Sequence, residues 1–123
     1  MIERKEYMAL LDKWRDKKVI KVVTGIRRCG KSSLLQMFRE KLLQEGVSGE
    51  QILEMNFEDL DNEQYLDYKA LYAYVKKHLI NVKMNYLFFD EIQMVENFQK
   101  VIDSLFLLDN VDIYVTGSNA YLL

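Results

Sequence analysis

The sequence contains no proline, one cysteine, one histidine and only five glycines in 123 residues. The single cysteine, Cys29, cannot form an internal disulfide, which agrees with a reducing compartment. No apolar run approaches the roughly 18 residues that a membrane span needs, and residues 1–11 lack the apolar core of a secretory signal. We therefore expect a cytoplasmic protein without a membrane partner.

Charge is distributed unevenly along the chain. Residues 1–46 carry 12 Lys and Arg against 6 acidic residues, whereas residues 47–123 carry 5 against 13. The length fits one domain over residues 1–123, and a hydrophobic share of 50% with 29% charged residues is typical of soluble globular domains. The basic first half is compatible with an anionic partner, a nucleotide or a nucleic acid, but a solvated basic surface is the commoner explanation of such a charge cluster.

The spacing of apolar residues predicts strands and helices that alternate along the chain. Helices are predicted at 3–16, 32–45 and 68–82 and from Phe98 onward, and strands at 19–24, 52–57, 86–89 and 113–116. Gly46, just past the second helix, is its predicted C-cap. The alternation favours an α/β fold in which a parallel sheet of about four strands is sandwiched by helices. In the first helix one face should enter the core, with Tyr7, Leu10, Leu11 and Trp14.

The stretch GIRRCGKS at 25–32 matches the phosphate-loop pattern G-x-x-x-x-G-K-[ST] at every fixed position, between a predicted strand and a predicted helix. Glycines allow backbone N–H groups to converge on phosphate oxygens, and the helix N-terminus adds positive potential. Lys31 should bridge the β- and γ-phosphates, and the Ser32 hydroxyl should bind Mg²⁺. The predicted nucleotide contacts are Gly25, Ile26, Arg27, Arg28, Cys29, Gly30, Lys31, Ser32 and Ser33.

Two of these positions, Arg27 and Arg28, are variable in the pattern, so a solvated loop position is the first interpretation for them, and a contact with phosphate or with a partner is the alternative. A second element, YLFFDEIQ at 86–93, places two carboxylates at the end of an apolar strand. Asp90 is the predicted second Mg²⁺ ligand. Glu91 is the predicted catalytic base that orients the attacking water. No N-K-x-D guanine-binding motif occurs, which favours ATP over GTP.

Three segments, TGIRRCGKSS at 24–33, YLFFDEIQ at 86–93 and IYVTGSNAYLL at 113–123, resemble the AAA+ superfamily of P-loop ATPases. More narrowly, they resemble prokaryotic predicted ATPases with an RRCGKS phosphate loop and a DEIQ acidic motif. The resemblance implies a P-loop NTPase core, ATP and Mg²⁺ as cofactors, and a polar γ-phosphate sensor at Ser118 or Asn119. An ordinary turn after the strand is the alternative for these two residues.

The resemblance also implies a fifth strand, a small helical lid and a further domain, and this chain stops at Leu123. We therefore expect an amino-terminal piece of a longer protein, truncated before the fifth strand and lid. The sheet should then have an uncovered edge beside the phosphate-loop strand. Assembly into a homo-oligomer, and nucleic-acid binding through a missing carboxyl-terminal domain, are further expectations that the sequence leaves open.

The leading functional hypothesis is an ATPase that couples ATP hydrolysis in the full-length protein to a conformational change in an attached domain or partner. We expect weak or absent turnover in the 123-residue chain itself. One alternative is a regulatory module that binds the nucleotide without hydrolysing it. A kinase that transfers the γ-phosphate to an acceptor is a less favoured alternative, because the sequence offers no acceptor-site signature.

Overall fold

A computed structural model describes residues 4–24 and 28–117, with the backbone alone for Arg4 and residues 28–33. In this part of the chain four strands form one sheet of order β1-β4-β3-β2, and every neighbouring pair is parallel. The predicted α/β class is confirmed. The strands are β1 (Lys21–Val23), β2 (Ile52–Asn56), β3 (Asn85–Asp90) and β4 (Val111–Thr116), and the α-helices are α1 (Arg4–Trp14), α2 (Arg28–Gln44), α3 (Tyr68–His78) and α4 (Phe98–Phe106).

Helices cover both faces of the sheet, and each face has its own apolar cluster. Leu34, Phe38 and Leu42 of α2 pack with Phe88 and Tyr114 on one face. The other face packs against α3 and α4. Every residue of β3 and of β4 is buried, as expected for central parallel strands covered on both sides. The second cluster contains Leu71, Val75, Val101, Leu105, Leu87, Phe89, Ile113 and Val115.

Helix α2 begins at Arg28, four residues before the predicted start at 32. Apolar periodicity becomes visible only at Leu34, so the first turns carry no sequence signal of their own. The end of α2 agrees with the prediction. Gly46 has φ +101°, and the N–H groups of Gly46 and Val47 donate to the carbonyls of Leu43 and Leu42. This is a Schellman C-cap.

Helix α3 ends at His78 and not at the predicted residue 82. Two asparagine side chains bind the backbone of Ile80 in place of helical partners. The Ile80 N–H donates to Asn85 Oδ1 at 2.9 Å, and the Ile80 carbonyl accepts from Asn85 Nδ2 at 2.9 Å and from Asn110 Nδ2 at 2.8 Å. Side-chain competition for backbone groups therefore ends the helix early.

The prediction that α1 turns one apolar face into the core is wrong for two of its residues. Leu11 is buried, but Leu10 and Trp14 are 45% and 43% exposed. Both lie along a groove beside β1, the edge strand of the described sheet, where Val22 is also 45% exposed. In the described part of the chain the β1 edge is therefore open, as expected.

A polar network closes the amino-terminal end of the sheet. Lys21 Nζ donates to Asp112 Oδ1, and both side chains are almost completely buried. The other carboxylate oxygen, Asp112 Oδ2, accepts from the Asp16 N–H at 2.9 Å and from the Tyr114 hydroxyl at 2.7 Å. Tyr86 in turn donates to Asp16 Oδ1 at 2.7 Å, which fixes the turn after α1 to the sheet. Burial raises the pKa of Tyr86 to about 12, so its hydroxyl stays protonated and can donate.

Replacement of Asp112 by Leu should destabilise the domain by about 3–5 kcal/mol, because it leaves the buried Lys21 ammonium uncompensated. The double variant Lys21→Met/Asp112→Leu should recover a part of this loss, since the buried charge is removed while the Asp16 N–H and the Tyr114 hydroxyl still lack their acceptor. Urea unfolding measures both. As a control, Lys41→Met breaks the exposed pair between Lys41 and Glu45 and should cost less than about 1 kcal/mol. Equal losses for Asp112→Leu and Lys41→Met would contradict the assignment of Lys21 and Asp112 as a buried, mutually dependent pair.

Candidate functional site

Because all the strands are parallel, the carboxyl ends of β1, β3 and β4 lie together along one edge of the sheet. This carboxyl edge is distinct from the open side of the sheet along β1. The strand register pairs Val23 with Thr116 and Phe89 with Val115, which brings the end of β4 between the ends of the other two strands. Helix α2 starts at this same edge, since only residues 24–27 separate it from β1. Ligands of open parallel α/β sheets bind at such an edge.

Alternation along the strands places the side chains of Asp90 and Thr116 on the face of the sheet that α2 covers. Tyr86 and Phe88 of β3, and Tyr114 of β4, belong to the cluster against α1 and α2. Side chains two residues apart in a strand share a face, so Asp90 and Thr116 follow them there. A carboxylate and a hydroxyl therefore lie at the edge of the sheet where α2 begins.

The hydroxyl of Thr116 links β4 to both acidic residues. It donates to Asp90 Oδ1 and accepts from the Glu91 N–H at 2.9 Å. Thr116 is completely buried, and Asp90 and Glu91 are only 6% and 8% exposed. Asp90 and Glu91 make further interactions beyond these. The geometry of the acidic pair is therefore set from the neighbouring strand as well as from its own.

Glu91 has a left-handed backbone conformation, with φ 57° and ψ 51°. A residue with a Cβ rarely adopts this backbone conformation, which costs of order 1–2 kcal/mol of conformational free energy. The conformation ends β3 abruptly and starts the short 3₁₀ helix Ile92–Met94. Within that helix the Gln93 side chain turns back, and its Nε2 donates to Glu91 Oε1 at 2.7 Å.

A third acidic residue, Glu54, lies close enough to Asp90 to interact with it electrostatically. Partial burial raises the pKa of Glu54 on β2; Arg39, at 3.6 Å, opposes this shift, and Asp90 makes a smaller contribution that adds to it. The predicted donor set, the Ser32 hydroxyl and the Asp90 carboxylate, consists of hard oxygen ligands and fits Mg²⁺, which usually takes one or two carboxylates together with phosphates.

The structure brings together some of the predicted site residues. Asp90 and Glu91 lie at the same sheet edge as the first turns of α2, which contain residues 28–33. The first four N–H groups of an α-helix have no acceptor within the helix, so those of residues 28–31 can serve an anion. Gly25, Ile26 and Arg27 of the predicted phosphate loop, and the predicted sensors Ser118 and Asn119, lie outside the described residues.

Sequence reasoning missed two residues at this site, Thr116 and Gln93. Thr116 could have been predicted, because it is the last residue of the predicted strand at 113–116. A hydroxyl at this position lies at the carboxyl end of the sheet, as the acidic pair does. Gln93 is the last residue of the DEIQ motif, but the sequence analysis assigned it no role. Its contact with Glu91 depends on the left-handed backbone conformation of Glu91. A sequence does not indicate this conformation at a residue other than glycine.

Three features define a P-loop NTPase-like core. They are a parallel sheet covered by helices, a long helix that begins shortly after the end of β1, and a buried acidic pair at the end of β3. A family model described as an AAA domain matches residues 17–123, and the chain belongs to this family. The family supports a nucleotide-binding, ATPase-like function.

An uncharacterized protein of Haemophilus influenzae is 39% identical over 124 aligned positions. The alignment covers all of this chain and 31% of that relative, so the chain spans about a third of the relative's length. Among the described residues, none of the helices is both long enough and apolar enough for a membrane crossing.

Replacement of Thr116 by Val should destabilise the domain by about 1–3 kcal/mol, because the volume is kept while the buried Glu91 N–H and Asp90 Oδ1 lose a partner. Thr116→Ser keeps the hydroxyl and should cost about 1 kcal/mol for the lost methyl group. Urea unfolding of the two variants compares the hydroxyl with the methyl. A valine variant as stable as the wild type would show that the hydroxyl does not hold the acidic pair.

Proposed function

We propose that this chain is the ATP·Mg²⁺-binding core of an ATPase, and that the full-length protein hydrolyses ATP to drive a conformational change in an attached domain or partner. The observation that carries the proposal is the position of the acidic pair. Asp90 and Glu91 lie, buried and hydrogen-bonded, at the sheet edge where α2 begins. The phosphate-loop sequence enters the same helix.

In this proposal the chain binds the nucleotide through its phosphates. Backbone N–H groups of residues 25–31 donate to phosphate oxygens, and the Lys31 ammonium neutralises charge on the β- and γ-phosphates. Ser32 and Asp90 hold Mg²⁺, which screens the phosphate charge when bound. The basic Arg27 and Arg28 supply additional positive potential along the entry to α2.

Hydrolysis then requires a positioned water. Glu91 accepts a proton from this water as its oxygen attacks the γ-phosphorus, and the bond from the γ-phosphorus to the β,γ-bridging oxygen breaks. ADP and inorganic phosphate are the products. Ser118 or Asn119, which follow β4, would contact the γ-phosphate as the sensor. Thr116 connects this strand to Asp90 and to Glu91, so movement of β4 would reach the Asp90 carboxylate and the Glu91 backbone.

Substitution of Lys31 by Ala should weaken ATP binding by roughly 100-fold or abolish it, because a cation that pairs with phosphate is lost. Isothermal titration of the 123-residue chain with ATP, with and without Mg²⁺, measures the effect. Lys41→Ala is the matched control, since it removes a lysine near the other end of the same helix. Unchanged affinity in the Lys31 variant would contradict the phosphate-loop assignment.

Substitution of Glu91 by Gln should leave the ATP dissociation constant within about threefold of the wild type and lower hydrolysis by about 10²–10⁴-fold, because only the base is lost. Release of inorganic phosphate by the full-length protein measures hydrolysis. Phosphate found on an acceptor molecule would instead support a kinase. ATP binding without turnover in the wild-type full-length protein would indicate the non-hydrolysing regulatory module.

A further inference from the structure

Gln93 contacts the proposed catalytic base directly, through the 2.7 Å hydrogen bond from its Nε2 to Glu91 Oε1. We propose that Gln93 is a positioning residue, which holds the Glu91 carboxylate in the orientation needed to accept a proton from the attacking water. This inference rests on the proposed ATPase function and adds a residue to that site. Gln93 touches neither the nucleotide nor its phosphates in the proposed mechanism, and acts through Glu91.

The contact is imposed by the local fold. Met94 N–H donates to the Glu91 carbonyl at 3.1 Å, and Val95 N–H donates to the Ile92 carbonyl at 3.0 Å. Ile92 and Val95 are 0% and 1% exposed, so they anchor the 3₁₀ turn in the core on both sides of Gln93. The backbone atoms that carry the two side chains therefore have a fixed separation.

The orientation of the Gln93 amide follows from its partner. A carboxylate oxygen only accepts hydrogen bonds, so the NH₂ group and not the carbonyl of Gln93 must face Glu91. A donor fixed on Oε1 sets the plane of the carboxylate and thereby the direction in which the other oxygen accepts. Such preorganisation favours catalysis because the base does not have to be oriented during the reaction.

The other end of the amide gives a second indication. Gln93 Oε1 is buried and has no hydrogen-bond donor among the described residues. An unsatisfied buried acceptor costs free energy, so a side chain retained only for packing would be more stable as an apolar isostere. The amide is instead suited to a task in which its donor engages Glu91 and its acceptor receives a hydrogen bond from an entering donor, such as water.

Two isosteric variants test the inference. Gln93→Met removes the donor and keeps the volume, and Gln93→Glu replaces the donor by a second carboxylate beside Glu91. Each should lower the single-turnover rate constant for ATP hydrolysis by the full-length protein about 10–100-fold. This loss is smaller than that of Glu91→Gln, because the base is still present but is no longer held in position. Each should keep the ATP dissociation constant within about threefold. In a Glu91→Gln background, Gln93→Met should change the residual rate less than twofold, since the two residues act as a unit.

The control is Gln44→Met, the same substitution at an exposed position near the end of α2, which should change neither quantity. Urea unfolding identifies a variant that is not folded. A folded Gln93→Met protein with a wild-type hydrolysis rate, while Glu91→Gln stops turnover, would overturn the role of Gln93 alone. Equal weakening of ATP binding and hydrolysis would also overturn it, because that pattern indicates a structural role. No hydrolysis by the wild-type full-length protein would overturn the proposed function together with this inference.

Discussion

The parallel pairing of β3 with β4 determines where the candidate functional groups lie. Because Phe89 is opposite Val115, the last residues of both strands reach the same edge of the sheet, and Thr116 comes within hydrogen-bond distance of Asp90 and of the Glu91 backbone. A shift of one residue in register would turn Thr116 to the other face, away from α2. The contacts between the linking hydroxyl and the acidic pair therefore depend on this one register.

The two ends of the sheet use buried charge in different ways. At the amino-terminal end the Asp112 carboxylate receives a lysine, a backbone N–H and a tyrosine hydroxyl, so its charge is balanced within the chain. At the carboxyl-terminal end the buried Asp90 carboxylate accepts from the Thr116 hydroxyl and makes further interactions, and the Glu91 carboxylate accepts from the Gln93 amide. The amino-terminal network therefore joins the turn after α1 to the sheet, whereas the carboxyl-terminal network joins β4 to the acidic pair.

The sequence predicted the fold class and the sheet-edge location of the acidic pair because these depend on patterns along the chain. The all-buried run of β3 and the apolar face of α4 are such patterns. Three features were not predictable in this way. Trp14 has the spacing of a core residue but lies beside the open edge strand. The end of α3 depends on Asn85 and Asn110, which come from later segments. The first turn of α2 has no apolar residue that extends the apolar face of the later turns. The first two depend on contacts that form only after the chain is folded, and the third on a turn without an apolar pattern.

The same limit applies to the site, and it has a physical cause. The identities of Asp90 and Glu91 are visible in the sequence, but their geometry depends on a left-handed backbone at Glu91 that local propensity disfavours. The surrounding structure must therefore supply the free energy that keeps Glu91 in this conformation. The hydrogen bond from the Glu91 N–H to Thr116, and the buried anchors Ile92 and Val95 on the following turn, supply it. The conformation that brings the Gln93 side chain to the Glu91 carboxylate is thus a consequence of tertiary packing. This explains why a strained residue and its hydrogen-bond partner occur together at the candidate catalytic position.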